Sequence, residues 1–294
     1  MTTLSTHDTK RAEDVRARLA VLAERPGEWA EAVAAWHLLM PEPALDPDTE
    51  YLLWQTLVGA WPIESDRLRE YLTKAMREAK TRTSWTDPDP AYESAALEFA
   101  ERARRVAPVG DFVCSIEQDA RVNSLGAKLV QLTMPGVPDV YQGCELESLA
   151  LVDPDNRRQV DFARRHELLD AIDRPDNPDQ PGKLVVTARA LRLRRDNPGW
   201  FAGGAYTPLR AEGPAAGHVI AFARGAKAVT VATRLPAGLR RRGGWADTVL
   251  PLPAASGPSA AGWTDVLTGA EHEGPRPSLA ALTRRLPVAL LTRR

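Results

Sequence analysis

Hydrophobic residues recur every three or four positions through much of the N-terminal half of the chain, the spacing of one face of an α-helix. Leu68, Leu72 and Met76 show this spacing. Asp46 stands before Pro47, a residue order typical of a helix start. The pattern predicts helices over residues 10–25, 27–40, 47–61, 66–82, 90–106 and 112–132.

The segment from Leu132 to Phe162 combines a short apolar run with a polar loop. Pro135-Gly136 indicates a turn, and Val137 to Tyr141 is typical of a strand covered on both faces. Ligands of parallel α/β folds bind beyond the carboxyl ends of strands. The residues alone leave open whether the loop is functional or a solvated connection. A calcium loop is disfavoured because its glycine and glutamate are not at the required spacing.

The N-terminal run from Met1 to Thr6 favours a β-strand, which places His7 and Asp8 at its carboxyl end. Asp8 or Thr9 is also in position to cap the helix that follows. From the residues alone, both a capping role and a catalytic pair remain open, and the cap is the simpler interpretation.

The hydrophobic pattern changes in the C-terminal part of the chain. A helix is predicted through Ile172, a linker from Asp173 to Gly182, and another helix over residues 184–195. From Gly204 onward, β-prone runs separated by Gly/Pro-rich turns predict an antiparallel β-sandwich. These runs cover residues 217–223, 228–233, 247–252, 263–267 and 286–292.

Composition narrows the class of protein. The 294 residues carry a formal net charge of -1, so there is no basic excess to favour nucleic acid or an anionic membrane as a partner. The chain has no apolar run near twenty residues. Cys114 and Cys144 are best interpreted as buried thiols in a reducing cytoplasm. The five histidines lack zinc-site spacing, so no metal site is predicted.

The tryptophans divide into two groups. Those at helical spacing, such as Trp29 and Trp36, are predicted core residues. Trp85 lies instead in the turn-rich segment Thr83-Ser84-Trp85-Thr86-Asp87-Pro88, where its ring is a candidate for contact with a sugar.

Two stretches carry a family resemblance. PGVPDVYQGCE (135–145) and LVDPDNRRQVDF (151–162) closely resemble the eighth barrel strand and following loop of maltooligosyl trehalose synthases, in the α-amylase superfamily (glycoside hydrolase family 13). LSTHDTKRAEDVRAR (4–18) resembles the end of barrel strand seven in the same enzymes. The resemblance extends over essentially the whole chain but only over the C-terminal part of the family's architecture.

The resemblance implies an α/β plus β fold. Residues 1–180 are expected to form the C-terminal part of a catalytic (β/α)8 TIM barrel, strands seven and eight with a helical insertion. Residues 181–294 are expected to form a linker helix and a C-terminal antiparallel β-sandwich domain.

The resemblance also implies an activity. Maltooligosyl trehalose synthases rearrange the reducing-end α-1,4 bond of a maltooligosaccharide or glycogen-derived α-1,4-glucan into an α,α-1,1 bond, with no cofactor. Asp8 matches the superfamily's transition-state stabiliser, and His7 matches its partner. The substrate-binding residues implied or predicted are Lys10, Arg11, Trp85, Tyr141, Glu145, Asp153, Asp155, Asn156, Arg157 and Arg158.

One departure from the family limits this expectation. A retaining enzyme needs two carboxylates about 5 Å apart, which the family carries on strands four and five, before the His-Asp segment. The chain is therefore expected to be a fragment that is inactive alone and has a missing N-terminal barrel portion as a partner. The alternatives are another hydrolase or transferase of the superfamily and a non-catalytic carbohydrate-binding protein.

Overall fold

The computed structural model describes residues 1–40, 45–173, 182–254 and 262–293. The chain divides into two compact units. The helical unit comprises His7–Ala120 and Leu149–Arg158, and the sheet unit comprises Met1–Thr6, Arg121–Ser148 and Gln159–Arg294. Most of the predicted linker, with the predicted domain boundary at residue 180, lies outside the described residues. The division into domains there stays a prediction.

The helical unit contains the predicted run of helices. Asp46 caps the third helix by accepting a hydrogen bond from the Thr49 amide at 3.0 Å, and Asp89 caps the fifth through the Tyr92 amide at 3.0 Å. These helices are α1 Glu13–Leu22, α2 Pro26–His37, α3 Pro47–Ala60, α4 Ser65–Ala79, α5 Pro90–Val106 and the beginning of α6 Val109–Thr133.

The predicted cap of the first helix is wrong. Helix α1 begins at Glu13, and its cap residue Ala12 makes no side-chain cap hydrogen bond. The preceding backbone is extended because the Ala12 amide donates to Ala150 O at 2.9 Å and Arg11 forms a β-bridge with Leu151. Since this pairing holds the backbone extended, Asp8 does not cap the helix.

An aromatic cluster forms much of the core of the helical unit. The ring centroids of Trp36 and Trp54 are 5.3 Å apart, and Trp36 lies edge-on to Phe112 at 5.6 Å. Trp29, Trp36 and Trp54 are all buried, which confirms the core interpretation. Each such pair contributes roughly 0.5–1.5 kcal/mol beyond the burial of its area.

The sheet unit begins with a parallel pair of short strands, β1 Thr2–Thr3 and β2 Pro138–Asp139. The side chain of Gln131 donates to Thr2 O at 3.1 Å and to Asp139 O at 2.7 Å, which joins the two strands. The prediction that the second strand is covered on both faces is wrong here. Val137 is 70% exposed, and Asp139 of β2 is exposed as well.

The C-terminal strands are antiparallel, as predicted, and the described residues place them in one sheet rather than in the two sheets of the predicted sandwich. The strand order of this sheet is β3-β4-β5-β8-β6-β7. The predicted strand over residues 247–252 is replaced by isolated bridges that join Val249 to Glu212 and to Ser278. The strands are β3 Tyr206–Leu209, β4 Val219–Arg224, β5 Ala228–Thr233, β6 Trp263–Asp265, β7 Glu271–His272 and β8 Val288–Arg293.

Helices pack on both faces of this sheet. Leu125 and Leu129 of α6 share a core cluster with Val186, Val288 and Leu290. The remaining helices are α7 Phe162–Ala171, α8 Gly182–Asp196, α9 Pro198–Phe201, α10 Pro236–Arg241 and α11 Leu279–Leu282.

Of the two cysteines, Cys144 is buried as predicted and Cys114 is exposed, which corrects that prediction.

Candidate active site

His7 and Asp8 occupy a turn a few residues beyond β1. The imidazole Nε2 lies 3.3 Å from the Asp8 carboxylate, and the two side chains are 55% and 85% exposed. A carboxylate that caps a helix would be committed to backbone amides, whereas this pair faces solvent. Its exposed polar atoms are in a position to contact a ligand.

The segment of residues 149–158, here called the site loop, lies directly beside His7. The Asn156 side-chain amide donates a hydrogen bond to the His7 carbonyl at 2.8 Å. Together with the bridge between Arg11 and Leu151, this bond brings two segments that are far apart in sequence into contact. Both segments belong to the helical unit.

Asp155 organises the interior of the site loop. Its carboxylate accepts two hydrogen bonds from Arg67, at 2.8 and 2.9 Å, and one from the Leu151 amide at 2.7 Å. Arg158 Nε lies 2.9 Å from the same carboxylate. Burial raises the pKa of Asp155, but the Arg67 and Leu151 hydrogen bonds lower it more, so the pKa lies below its usual value. These contacts favour a structural role for this predicted substrate-binding residue.

One face of helix α4 supports the site. Residues seven and eleven positions apart fall on the same side of a helix, and Arg67, Lys74 and Glu78 show that spacing. Arg67 Nη2 donates to Leu149 O at 2.9 Å, and Lys74 Nζ donates to Asp153 O at 2.8 Å. The sequence interpretation missed these residues, although their common face on α4, opposite the buried Leu68, Leu72 and Met76, was a usable signal.

The remaining charged residues of the site lie nearer the surface. Arg157 pairs with Asp153 at 3.0 Å, and Lys10 pairs with Glu78 at 3.3 Å. Arg11 is partly buried and donates to Gln55 at 2.9 Å. The two ion pairs are exposed and contribute about 0–1 kcal/mol each, so Arg157 and Lys10 can exchange partners for a ligand at little cost.

Tyr141 and Glu145 belong to the sheet unit. Glu145 lies 3.2 Å from Arg165 Nε, and Arg165 Nη2 donates to Gly143 O at 2.9 Å. Tyr141 is half-buried. Their assignment to substrate binding stays a prediction.

Trp85 belongs to the helical unit and is 56% exposed. The guanidinium carbon of Arg77 lies 4.9 Å from its ring centroid. Within the described ranges, no group of three or more His, Cys, Asp and Glu is arranged to hold a metal ion. No helix among those residues is both long and apolar enough to cross a membrane.

Known proteins match this chain over its whole length. A protein of Mycobacterium tuberculosis (strain H37Rv), named as a maltooligosyl trehalose synthase, is 44% identical over 100% of this chain. The structure of maltooligosyltrehalose synthase from Arthrobacter ramosus superposes with a TM-score of 0.90 at 44% identity, again over 100% of the chain. This chain is homologous to the maltooligosyl trehalose synthases.

This chain matches the synthases over part of their length. The chain spans 37% of the length of the Mycobacterium tuberculosis relative and 38% of the Arthrobacter ramosus structure. Another maltooligosyl trehalose synthase structure matches 99% of the chain with a TM-score of 0.79 at 29% identity, and there the chain covers 39%. The resemblance to the C-terminal portion of these synthases is confirmed. No protein-family model matches the chain.

Proposed function

We propose that this chain supplies part of the active site of a maltooligosyl trehalose synthase. The reaction transfers the maltooligosyl group from O4 to the anomeric oxygen of the reducing-end glucose, which converts a terminal α-1,4 bond into an α,α-1,1 bond. No net water is consumed, and the product has no reducing end. The substrate class follows from the names of the homologous proteins.

The hydrogen bond from Asn156 to the His7 carbonyl is the observation that supports this proposal best. It fixes the turn that carries His7 and Asp8 against the site loop, while both side chains stay exposed. In an oxocarbenium-like transition state, hydrogen bonds between a carboxylate and the ring hydroxyls strengthen and contribute several kcal/mol. Asp8 is proposed to make these bonds, with His7 holding a neighbouring hydroxyl.

The covalent step needs two further carboxylates. One attacks the anomeric carbon and expels O4 of the terminal glucose, which the other protonates; the second carboxylate then removes the proton from the anomeric hydroxyl of that glucose as it attacks the glycosyl-enzyme. We propose that these two groups belong to the part of the synthases that this chain does not span. The chain by itself is then expected to be inactive.

The strand pairing of the sheet unit supports a barrel fold. The parallel pairing of Thr2 with Pro138 and of Thr3 with Asp139 is what neighbouring barrel strands require, and it supports β1 and β2 as strands seven and eight of a (β/α)8 barrel. The bridges at Glu212, Val249 and Ser278 support a second layer over the antiparallel sheet, as in a sandwich.

The test combines this chain with the portion of the Mycobacterium tuberculosis relative that it does not match. Maltopentaose is the substrate, and reducing ends and free glucose are both measured. Loss of reducing ends without an equal release of glucose supports the synthase. Release of glucose with gain of reducing ends supports a hydrolase instead, and binding without any reaction supports a carbohydrate-binding protein.

A further inference from the structure

The loop between α4 and α5 presents one large apolar ring to solvent. Trp85 is 56% exposed, whereas Trp29, Trp36 and Trp54 are buried in the same unit. The Arg77 guanidinium lies 4.9 Å from the Trp85 ring centroid, the distance of a cation–π contact. The ring is therefore supported from within the protein while much of its surface stays in water.

The support of the Trp85 ring is itself fixed. Arg77 donates two hydrogen bonds to Glu93, at 2.8 and 2.7 Å, and Thr83 Oγ1 donates to the same carboxylate at 2.6 Å. The Asp89 amide donates to Thr83 Oγ1 at 3.0 Å. A forked arginine pair of this kind has a defined geometry, so the ring is held in place before any ligand arrives.

The turn that carries Trp85 is closed by hydrogen bonds between its own residues. The Ser84 amide donates to Asp87 O at 3.0 Å, and the Asp87 amide donates back to Ser84 Oγ at 2.9 Å. An exposed tryptophan on a loose loop would fold against the nearest apolar surface. Here the hydrogen bonds fix the turn, and Trp85 stays 56% exposed, which leaves in water apolar surface whose burial would stabilise the fold.

The ring also lies beside the helix face that supports the candidate site. Arg77 follows Lys74 by three positions, so these two side chains are neighbours on the surface of α4. Lys74 contacts Asp153 of the site loop, and Glu78 contacts Lys10. Arg77 lies ten positions after Arg67, about 15 Å along the helix.

We propose that Trp85 is a stacking subsite for a glucose unit of the maltooligosaccharide that lies outside the reacting pair. The apolar face of a pyranose fits a supported indole ring, and a fixed ring binds without an ordering cost. A glucan long enough to extend from the reacting pair to Trp85 is then expected to bind more tightly than a shorter one. The chemical class of this ligand rests on the proposed function.

The test measures binding of maltoheptaose and maltotriose to the 294-residue chain, by calorimetry and by the indole NMR signals of the tryptophans. Trp85→Ala is expected to weaken maltoheptaose binding about five- to tenfold and to leave maltotriose binding unchanged. Trp85→Phe keeps an aromatic face and is expected to retain most of the affinity. Tyr206→Ala, which removes a comparably exposed ring from β3, is the matched control and is expected to change nothing.

Three results would overturn the subsite: no maltoheptaose binding by the parent chain at millimolar concentrations, unchanged affinity in Trp85→Ala, or an equal loss in Tyr206→Ala. Circular dichroism of each variant separates loss of the ring from loss of the fold. The outcome is independent of the conversion assay. Trp85-dependent binding without any loss of reducing ends sinks only the proposed reaction, and conversion without Trp85-dependent binding sinks only the subsite.

Discussion

Replacing Arg67 by Met tests whether helix α4 holds the site loop in place. The substitution keeps an unbranched side chain of similar length but removes the guanidinium. Asp155 then loses both hydrogen bonds from Arg67, and Leu149 O loses its donor. The Asp155 carboxylate, only 9% exposed, is left with the Leu151 amide and Arg158.

The expected free-energy cost of the substitution follows from the burial of the ion pair. The side chains of Arg67 and Asp155 are 12% and 9% exposed, and breaking a buried ion pair costs about 3–5 kcal/mol. Arg158 still offers a positive charge 2.9 Å away, so the lower end of that range applies, about 3 kcal/mol. A difference of this size corresponds to roughly a hundredfold change in a local opening equilibrium.

Hydrogen exchange of the Leu151 amide reports this opening directly, because that amide donates to the Asp155 carboxylate at 2.7 Å. Its exchange rate is expected to rise about a hundredfold in Arg67→Met. Arg158→Met is the matched control, because it removes a half-exposed cation from the same carboxylate. An exposed pair contributes about 0–1 kcal/mol, so this control is expected to raise the rate by less than about fivefold.

A change of less than threefold in Arg67→Met, or equal changes in the two variants, would refute the view that Arg67 fixes the loop. The loop would then owe its position to the bridge between Arg11 and Leu151 and to the bond from Asn156 to His7. Variants of Asn156 would be the next to measure.

Three further predictions concern other parts of the chain. Because folding lowers the pKa of Asp155, its carboxylate stabilises the folded chain above the ordinary pKa of 3.8, and this stabilisation is lost as pH falls through the lower folded pKa. An acid titration followed by amide exchange in the site loop should show the loss. The variant Asp155→Asn should lack this pH dependence. In the assembled enzyme, Asp8→Asn is expected to lower kcat on the order of a hundredfold with a smaller effect on KM, and a kcat within threefold of the parent would contradict the proposed role. Gly213→Ala is expected to lower the free energy of unfolding by about 2–3 kcal/mol, measured by thermal unfolding, because φ is +124° and a Cβ would lie 2.7 Å from Thr248 Cα. In the control Gly217→Ala, the added Cβ meets nothing within 4 Å, so the stability should be close to that of the parent. Equal losses of stability in the two variants would argue against strain at Gly213.

The sequence predicted those parts of the fold that depend on neighbouring residues. Asp46 and Pro47 marked the start of α3 because a cap and a first-turn proline act within a few positions. The helix over Pro90–Val106 and the strand over Ala228–Thr233 were predicted with their observed bounds for the same reason. The family resemblance was also read directly from contiguous residues.

The start of α1 shows where local signals fail. Asp8 and Thr9 are good cap residues, yet the helix begins at Glu13, since Ala12 gives its amide to Ala150 instead. Hydrogen bonding to a distant segment outweighed a cap that contributes about 1 kcal/mol.

The site itself was decided by tertiary structure. The sequence singled out His7, Asp155 and Asn156. It did not show that Asn156 donates a hydrogen bond to the His7 carbonyl or that the Asp155 carboxylate accepts hydrogen bonds from Arg67. Whether a carboxylate binds a ligand or its own protein depends on which charges folding places beside it and how far water is excluded. Those quantities arise from contacts between residues far apart in the chain, so composition and spacing could nominate the residues, and only the folded chain could assign their partners.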